Sequence, residues 1–332
     1  MKVCHLKETE YYLGGISASI QHQRKALDKA NIDYTTDPQD DYDILHTNIA
    51  SPIAIYHLKK ARRNDAKTIV HTHTTVEDFK NSFRFSNHLS YPVKKYITYL
   101  YSHADLLVCP STYNEDLIND YGFDNTTVIS NGIDTERFNG FKDRRQQARE
   151  EYGLEQTTCF SVGTAIQRKG IDTFVDIARK LPDLDFAWFG NIMRSVMTQR
   201  GTKEIIEGTP QNAQFTGFID DIRDAFAAGD IFLYPTRVEN QGIPALEAAY
   251  CGKPLVLRDI PVFDEYFEHG HNCLKAGDVD EFIEHIKRLK RDDELRERIA
   301  SNARATAEKH TLDNVGEKLR KTYENLIDGD IP

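Results

Sequence analysis

Two glutamates eight residues apart bracket the segment of this chain best suited to chemistry. The run Tyr234 to Tyr250, YPTRVENQGIPALEAAY, places Glu239 in a loop, Gly242 at a tight turn, Pro244 in a first helical turn and Glu247 about one turn into the helix. Carboxylates so placed can face one ligand. Acceptors of this kind suit a hydroxyl-rich molecule, while N–H groups at the helix start stay available for phosphate. Taken alone, Glu239 reads equally as a surface loop residue and Glu247 as an acid favoured by the helix dipole. Upstream, SVGTAIQRKG (Ser161 to Gly170) sets Arg168 and Lys169 beside Gly170 at another helix entrance. Two cations with N–H donors match a pyrophosphate, and equally a solvated basic pair.

A third tract is VHTHTTVEDFKNSFRF, Val70 to Phe85. His71 and His73 point to one side of an extended chain and could bind metal, but no third ligand is identifiable, and core or capping histidines fit as well. Near the start, the first strand runs into an acidic and aromatic loop closed by Gly14-Gly15, a pair that permits close backbone approach to a ligand or is simply a turn.

These residues need a scaffold, and the chain supplies one pattern throughout: short β-branched or aliphatic runs, a turn, then a longer stretch of helical period. That alternation predicts an α/β chain with parallel sheets. Strands are expected at Lys2 to Leu6, Asp43 to His46, Thr68 to His71, Leu106 to Cys109 and Thr127 to Ile129. A second set is expected at Thr158 to Val162, Asp185 to Phe189, Gln214 to Thr216, Ile231 to Tyr234 and Pro254 to Leu257. Helices are expected near Ile16 to Ala30, Pro52 to Arg63, Val93 to His103 and Tyr113 to Asp120. Two Rossmann-like domains follow: residues 1–140, a charged linker at 141–156, a second domain at 157–311, and an amphipathic helix at 312–332 free to cross back onto the first domain.

The length of 332 residues suits two such domains. An apolar fraction of 39%, 28% charged residues and a mean hydropathy of −0.57 exclude disorder and an integral membrane protein. A net charge of −10 argues against nucleic acid as a partner. Five scattered cysteines without a C-x-x-C pair form neither a disulfide framework nor a zinc site and fit a reducing cytoplasm. The opening MKVCHLKETEYY has no apolar leader, so neither secretion nor a membrane span is expected.

Taken together, the Glu-x7-Glu segment with NQGIPALEA inside it, VGTAIQRKG, DLDFAWFG, QFTGFIDDIRDAFAAGDIFLYPT, VISNGIDTERF and the N-terminal GGI resemble the GT4-type, GT-B-fold glycosyltransferases over nearly the whole chain. The resemblance implies two Rossmann-like domains facing a central cleft and a nucleotide diphosphate sugar as co-substrate, with no cofactor required and no divalent metal. It implies that Glu239 touches the donor sugar, with Asn240, Gln241, Gly242 and Ile243 around it. Glu247 would hold the ribose hydroxyls, and Arg168 and Lys169 the diphosphate, near Gly163 and Gly15. His73 best matches a family histidine facing the donor sugar, His71 being the fallback. One departure stands out: the family commonly has Arg directly after the Gly of the first C-domain strand, and here Thr164 follows Gly163. HTHTTVEDFKNSF with QRKGIDTFVDIARKLPDLDFAWFG is more specifically similar to diacylglycerol glucosyltransferases and related glycolipid synthases.

Charge distribution supports a membrane acceptor independently. From His57 to Ala104, nine basic residues stand against three acidic ones, a net +6, leaving −16 for the rest. Lys59, Lys60, Arg62, Arg63, Arg84, Lys94 and Lys95 are interleaved with Phe79, Phe83, Phe85, Tyr91, Tyr96, Tyr99 and Tyr101, a composition suited to anionic headgroups. The alternative is a set of solvated lysines around core residues Tyr96, Ile97 and Leu100. The expectation is a retaining hexosyltransferase. It would move glucose from UDP-glucose to a diacylglycerol-like or ether lipid, peripherally at the inner membrane face. Its rivals are the same fold acting on a soluble sugar, a polyprenol-linked glycan or a protein, a nucleotide-sugar epimerase, and a non-catalytic nucleotide-sugar binder.

Overall fold

The computed structural model describes residues 1–7, 15–80, 82, 86–193 and 201–330. The chain divides into two compact units, the first holding residues 1–80, 86–133 and 310–330 and the second residues 134–309 with Ser82.

In the first unit the elements are β1 (Lys2–His5), α1 (Gly15–Lys29), β2 (Asp33–Thr35), β3 (Ile44–Thr47), α2 (Pro52–Arg63), β4 (Lys67–His71), α3 (Val76–Phe79), α4 (Ser86–Tyr101), β5 (Leu106–Cys109), α5 (Thr112–Asp120) and β6 (Thr126–Val128). The second contains α6 (Arg145–Glu151), β7 (Thr158–Val162), α7 (Ile171–Lys180), β8 (Asp185–Phe189), α8 (Thr202–Glu207), β9 (Ala213–Gly217), α9 (Arg223–Ala228), β10 (Ile231–Tyr234), α10 (Ile243–Tyr250), β11 (Leu255–Arg258), β12 (Leu274–Ala276), α11 (Val279–Arg291) and α12 (Asp293–Ala307). The chain then returns to the first unit as α13 (Leu312–Asp328).

Each unit carries a six-stranded sheet, ordered β2-β1-β3-β4-β5-β6 and β12-β11-β10-β7-β8-β9, with every paired strand parallel. The doubly wound expectation holds. Ten of the strands fall on the apolar runs read from sequence, because strands covered on both faces need continuous hydrophobic stretches. β2 and β12 are additions. Both are three-residue edge strands, DYT and LKA, in which a charged residue breaks the run. Helix α4 begins at Ser86, ahead of the expected Val93, and carries Pro92 inside it.

The crossover back to the first unit is tightly made. Ile133 N–H donates to His310 O at 2.8 Å and Leu312 N–H to Ile133 O at 3.3 Å. Leu312, Val315, Leu319, Tyr323 and Leu326 of α13 then bury into one core with Val3, Ala26, Leu27 and Ile44. Gly316 permits close helix contact, since a Cβ there would lie 2.4 Å from Ala26 O. In the second unit, the core centres on Phe174, Phe186 and Trp188. Residues 141–151 form a 3-10 turn and α6, fastened within that unit by Arg144, whose Nε and Nη2 donate to the Asp224 carboxylate at 2.6 and 3.1 Å.

Candidate active site

Strand order reverses in the second unit between β7 and β10, and ligands of open α/β sheets bind beyond the carboxyl ends of strands at such a point. Lys169 follows β7 there and Glu239 follows β10, and the fold brings the half-buried lysine and the buried glutamate into an ion pair. One carboxylate oxygen carries the network: Glu239 Oε1 accepts from Lys169 Nζ, from the Tyr234 hydroxyl at 2.7 Å and from Thr236 Oγ1 at 2.8 Å. Among the described residues nothing donates to Oε2. Burial pushes the Glu239 carboxyl up, but Lys169 and then Arg168 more than offset it and hold it below the usual glutamate range. The site therefore keeps an anion with one oxygen anchored and the other available.

Arg168 and Lys169 diverge. Lys169 Nζ lies 3.3 Å from the Tyr234 hydroxyl and over its ring, whereas Arg168 Nη1 donates to Val238 O at 2.7 Å. Arg168 thus clamps the Glu239 loop. Gly163, at the end of β7, has φ of +135° and open space where a Cβ would stand, so the backbone there is exposed to a ligand. Thr164 beside it is half-buried.

Helix α10 starts at Gly242 with no side-chain cap, leaving its first N–H groups to other acceptors. Glu247 sits one turn in, buried, with Arg137 Nη1 at 3.7 Å from Oε1. Burial pushes its carboxyl up to about 7, Arg137 pulling down and Asp134 pushing up. Of the residues between the glutamates, Gln241 is buried with Nε2 donating to the Tyr266 hydroxyl at 3.4 Å, and Asn240 and Ile243 are half-buried.

The first unit builds its own cluster at the carboxyl ends of β1, β3 and β4. His5, His46, His71 and His73 form a row with centroids 5.2, 5.9 and 4.2 Å apart, the last two pairs stacked. Gln23 of α1 is the hub: its Oε1 accepts from His5 Nε2 at 2.9 Å and its Nε2 donates to His71 Nδ1 at 2.8 Å. Asn48 Oδ1 accepts from His73 Nε2 at 3.1 Å, and the Tyr323 hydroxyl meets His46 Nδ1 at 2.8 Å. Burial lowers all four rings, His5 to about 4 and His73 to about 3, so the row is neutral near pH 7. His71 Nδ1 and His73 Nε2 are engaged with amides, and among the described residues no three-ligand metal group includes either ring. Gly15 opens α1 with free space around it.

On the same unit, α2 and α4 present the basic surface. Lys59 Nζ donates to the Tyr99 hydroxyl at 2.6 Å, and Lys94 and Lys95 lie over the rings of Tyr121 and Tyr91. Lys60, Arg62 and Arg63 line α2, with Arg62 3.9 Å from Asp105, and Phe79 is half-buried. Tyr101 is a correction. It is core, with its hydroxyl donating to Thr74 O at 2.6 Å, because α4 turns it onto the sheet. Phe83, Arg84 and Phe85 lie outside the described residues. Sequence reasoning missed Ile53 and Tyr56, exposed on α2 at 61% and 63%, although their spacing with Lys60 and Arg63 follows one helical face. It also missed Tyr234, Thr236, Arg137, Gln23 and Asn48, whose partners are set only by the fold.

Two families match the sequence: Glycosyltransferase Family 4 over residues 14–137 and Glycosyl transferases group 1 over residues 143–306. The processive diacylglycerol alpha-glucosyltransferase of Acholeplasma laidlawii is 32% identical over 327 residues, 97% of this chain and 96% of that protein. The chain belongs to the GT4-type glycosyltransferases. This glycosyltransferase is also 27% identical to the alpha-galactosylglucosyldiacylglycerol synthase of Streptococcus pneumoniae, over 76% of the chain and 70% of that protein. Its fold is that of Anabaena Alr3699/HepE, solved in complex with UDP-glucose, with a TM-score of 0.81 at 18% identity, covering 98% of this chain and 100% of that one. The glycosyltransferase thus has the GT-B architecture, and Lys169, Glu239 and Glu247 fall within the stretch matched to group 1. Among its described residues no helix is long and apolar enough to cross a membrane.

Proposed function

We propose that this glycosyltransferase moves glucose from UDP-glucose to a diacylglycerol-like lipid, with retention of anomeric configuration, while resting peripherally on the cytoplasmic membrane face. The observation that supports this most is the span of the glucosyltransferase relative: the likeness runs through both units over 97% of the chain, so it includes more than the shared donor motifs. In this reading Glu239 Oε2 accepts a hydroxyl of the donor sugar, Glu247 the ribose hydroxyls, and Lys169, Arg168 and the α10 N–H groups receive the diphosphate as negative charge develops on it. Lys169 is pre-aimed by Glu239 and Tyr234, which limits reorganisation when the leaving group departs. His73, a neutral ring held by Asn48, is assigned to the donor sugar. The leaving phosphate oxygen takes the acceptor's proton, and a protein base is not invoked. Ile53, Tyr56 and the α2 and α4 cations supply membrane contact.

The test is incubation of the purified chain with UDP-[14C]glucose and vesicles of diacylglycerol in anionic phospholipid, followed by organic extraction. Label in the lipid phase, passing into water as a glucosylglycerol once mild alkali removes the acyl chains and lost with Glu239→Gln, is expected. Label confined to a soluble glycan, or free epimerised nucleotide sugar without transfer, would overturn the lipid acceptor.

A further inference from the structure

Glu239 and Glu247 are both buried, yet their surroundings differ. Glu239 accepts three hydrogen bonds, whereas no described residue donates to Glu247. Among the described residues, the one cation within 4 Å of Glu247 is Arg137, at 3.7 Å. Arg137 does not belong to the sheet or to its crossover helices. It lies on the 3-10 turn Thr135–Phe138, ahead of α6. The next residue fixes it in place. Phe138 is buried edge-on to Phe226 at 5.1 Å and beside Tyr250 at 6.3 Å, and Tyr250 closes the same helix that carries Glu247.

The groups facing Glu247 are Arg137 and Asp134 from that turn, Tyr234 from β10 and Cys251 just after α10. Burial pushes the tyrosine and the thiol up, so both are neutral near pH 7. The charge balance is left to one guanidinium against one carboxylate, Asp134. An ionised glutamate offers lone pairs on both oxygens to a pair of hydroxyls, whereas a protonated one gives up part of that capacity.

We infer that Arg137 is a positioning residue for the donor: by pairing with Glu247 it favours the ionised carboxylate that accepts the two ribose hydroxyls. The inference rests on the assignment of Glu247 to the ribose under Proposed function. It accounts for a cation on a segment outside the sheet being anchored against this helix. Burial carries the Glu247 carboxyl up to about 7 even with Arg137 present, so loss of the guanidinium moves its titration further into the working range.

The experiment is calorimetric titration of the full chain with UDP-glucose from pH 5.5 to 9. That ligand has no phosphate proton that titrates near neutrality. Wild-type association should strengthen with pH and level off once Glu247 is ionised. Arg137→Gln should move that rise up by about half to one pH unit, weakening binding roughly two- to sixfold at pH 7 and much less at pH 9. Arg137→Lys should restore most of the wild-type profile, and Glu247→Gln should bind weakly with the rise removed. Equal weakening by Arg137→Gln at every pH, or none, would overturn the inference while leaving the donor site intact. Absence of wild-type binding at every pH would overturn the donor reading itself, and the inference with it.

Discussion

The Tyr234 hydroxyl donates to Glu239 Oε1 at 2.7 Å, on the same oxygen that Lys169 occupies. The last residue of a core strand therefore orients the carboxylate assigned to the sugar. Tyr234→Phe keeps the buried ring and removes one hydrogen bond worth about 1 kcal/mol. A fall of roughly fivefold in kcat with little change in melting temperature is expected. Glu239→Gln should cost about a hundredfold in transfer. Steady-state assays on both variants check the ranking, and near wild-type turnover in Glu239→Gln removes that residue from the mechanism.

Glu247 gives a stability signature of opposite sign to an ordinary ion-paired acid. Its folded value of about 7 lies above the usual 4.5, so the folded state holds the proton more tightly and stability is lost as pH rises between the two. The full penalty at pH 8 is on the order of 1–3 kcal/mol. Glu247→Gln should raise the melting temperature at pH 8, change it little at pH 4, and weaken donor binding. Melts at the two pH values decide it. An equal shift at both would refute the assignment.

The row of buried histidines predicts sensitivity to mild acid. Each ring titrates below its ordinary 6.5, His5 at about 4 and His73 at about 3. The stability given by neutral rings is therefore complete above pH 6.5 and lost as pH falls toward 4. Roughly 2 kcal/mol per ring should be gone by pH 5. Urea unfolding followed at pH 7 and pH 5 tests this, and an unchanged midpoint would count against it.

Replacing Lys59, Lys60, Arg62 and Arg63 with Ser should weaken co-sedimentation with anionic vesicles at least tenfold, since each cation near such a surface is worth about 1 kcal/mol. Ile53→Ser with Tyr56→Ser should weaken it further and leave the salt dependence unchanged. Unaltered sedimentation of the fourfold variant would sink the membrane assignment.

The architecture was legible because buried parallel strands such as Phe186 to Phe189 and Ile231 to Tyr234 write themselves as continuous apolar runs. The edge strands β2 and β12 were not, because Asp33 and Lys275 break their three-residue runs, whereas the equally short β6 is wholly β-branched. At the site, Glu239, Glu247 and Lys169 could be singled out from charge at turn and helix starts. Tyr234 read only as the end of a strand, because nothing local reveals that its hydroxyl meets a carboxylate five residues on. Arg137 was hidden by distance along the chain. Its neighbour Glu247 is brought to it by the packing of Phe138 on Tyr250.

Helix α13 gives the first unit an order of assembly. Leu312, Leu319 and Tyr323 complete the core around Val3, Ala26 and Leu27. On the ribosome the whole of Asp134–Lys309 is made between β6 and that helix, roughly 10–35 s at ordinary elongation rates. Through that interval the nascent N-terminal sheet exposes an apolar flank, and the unit begun first is the one finished last. An N-terminal fragment ending at Ile133 would keep that flank bare indefinitely, so it should aggregate when expressed alone and be rescued by a separate peptide spanning 310–330.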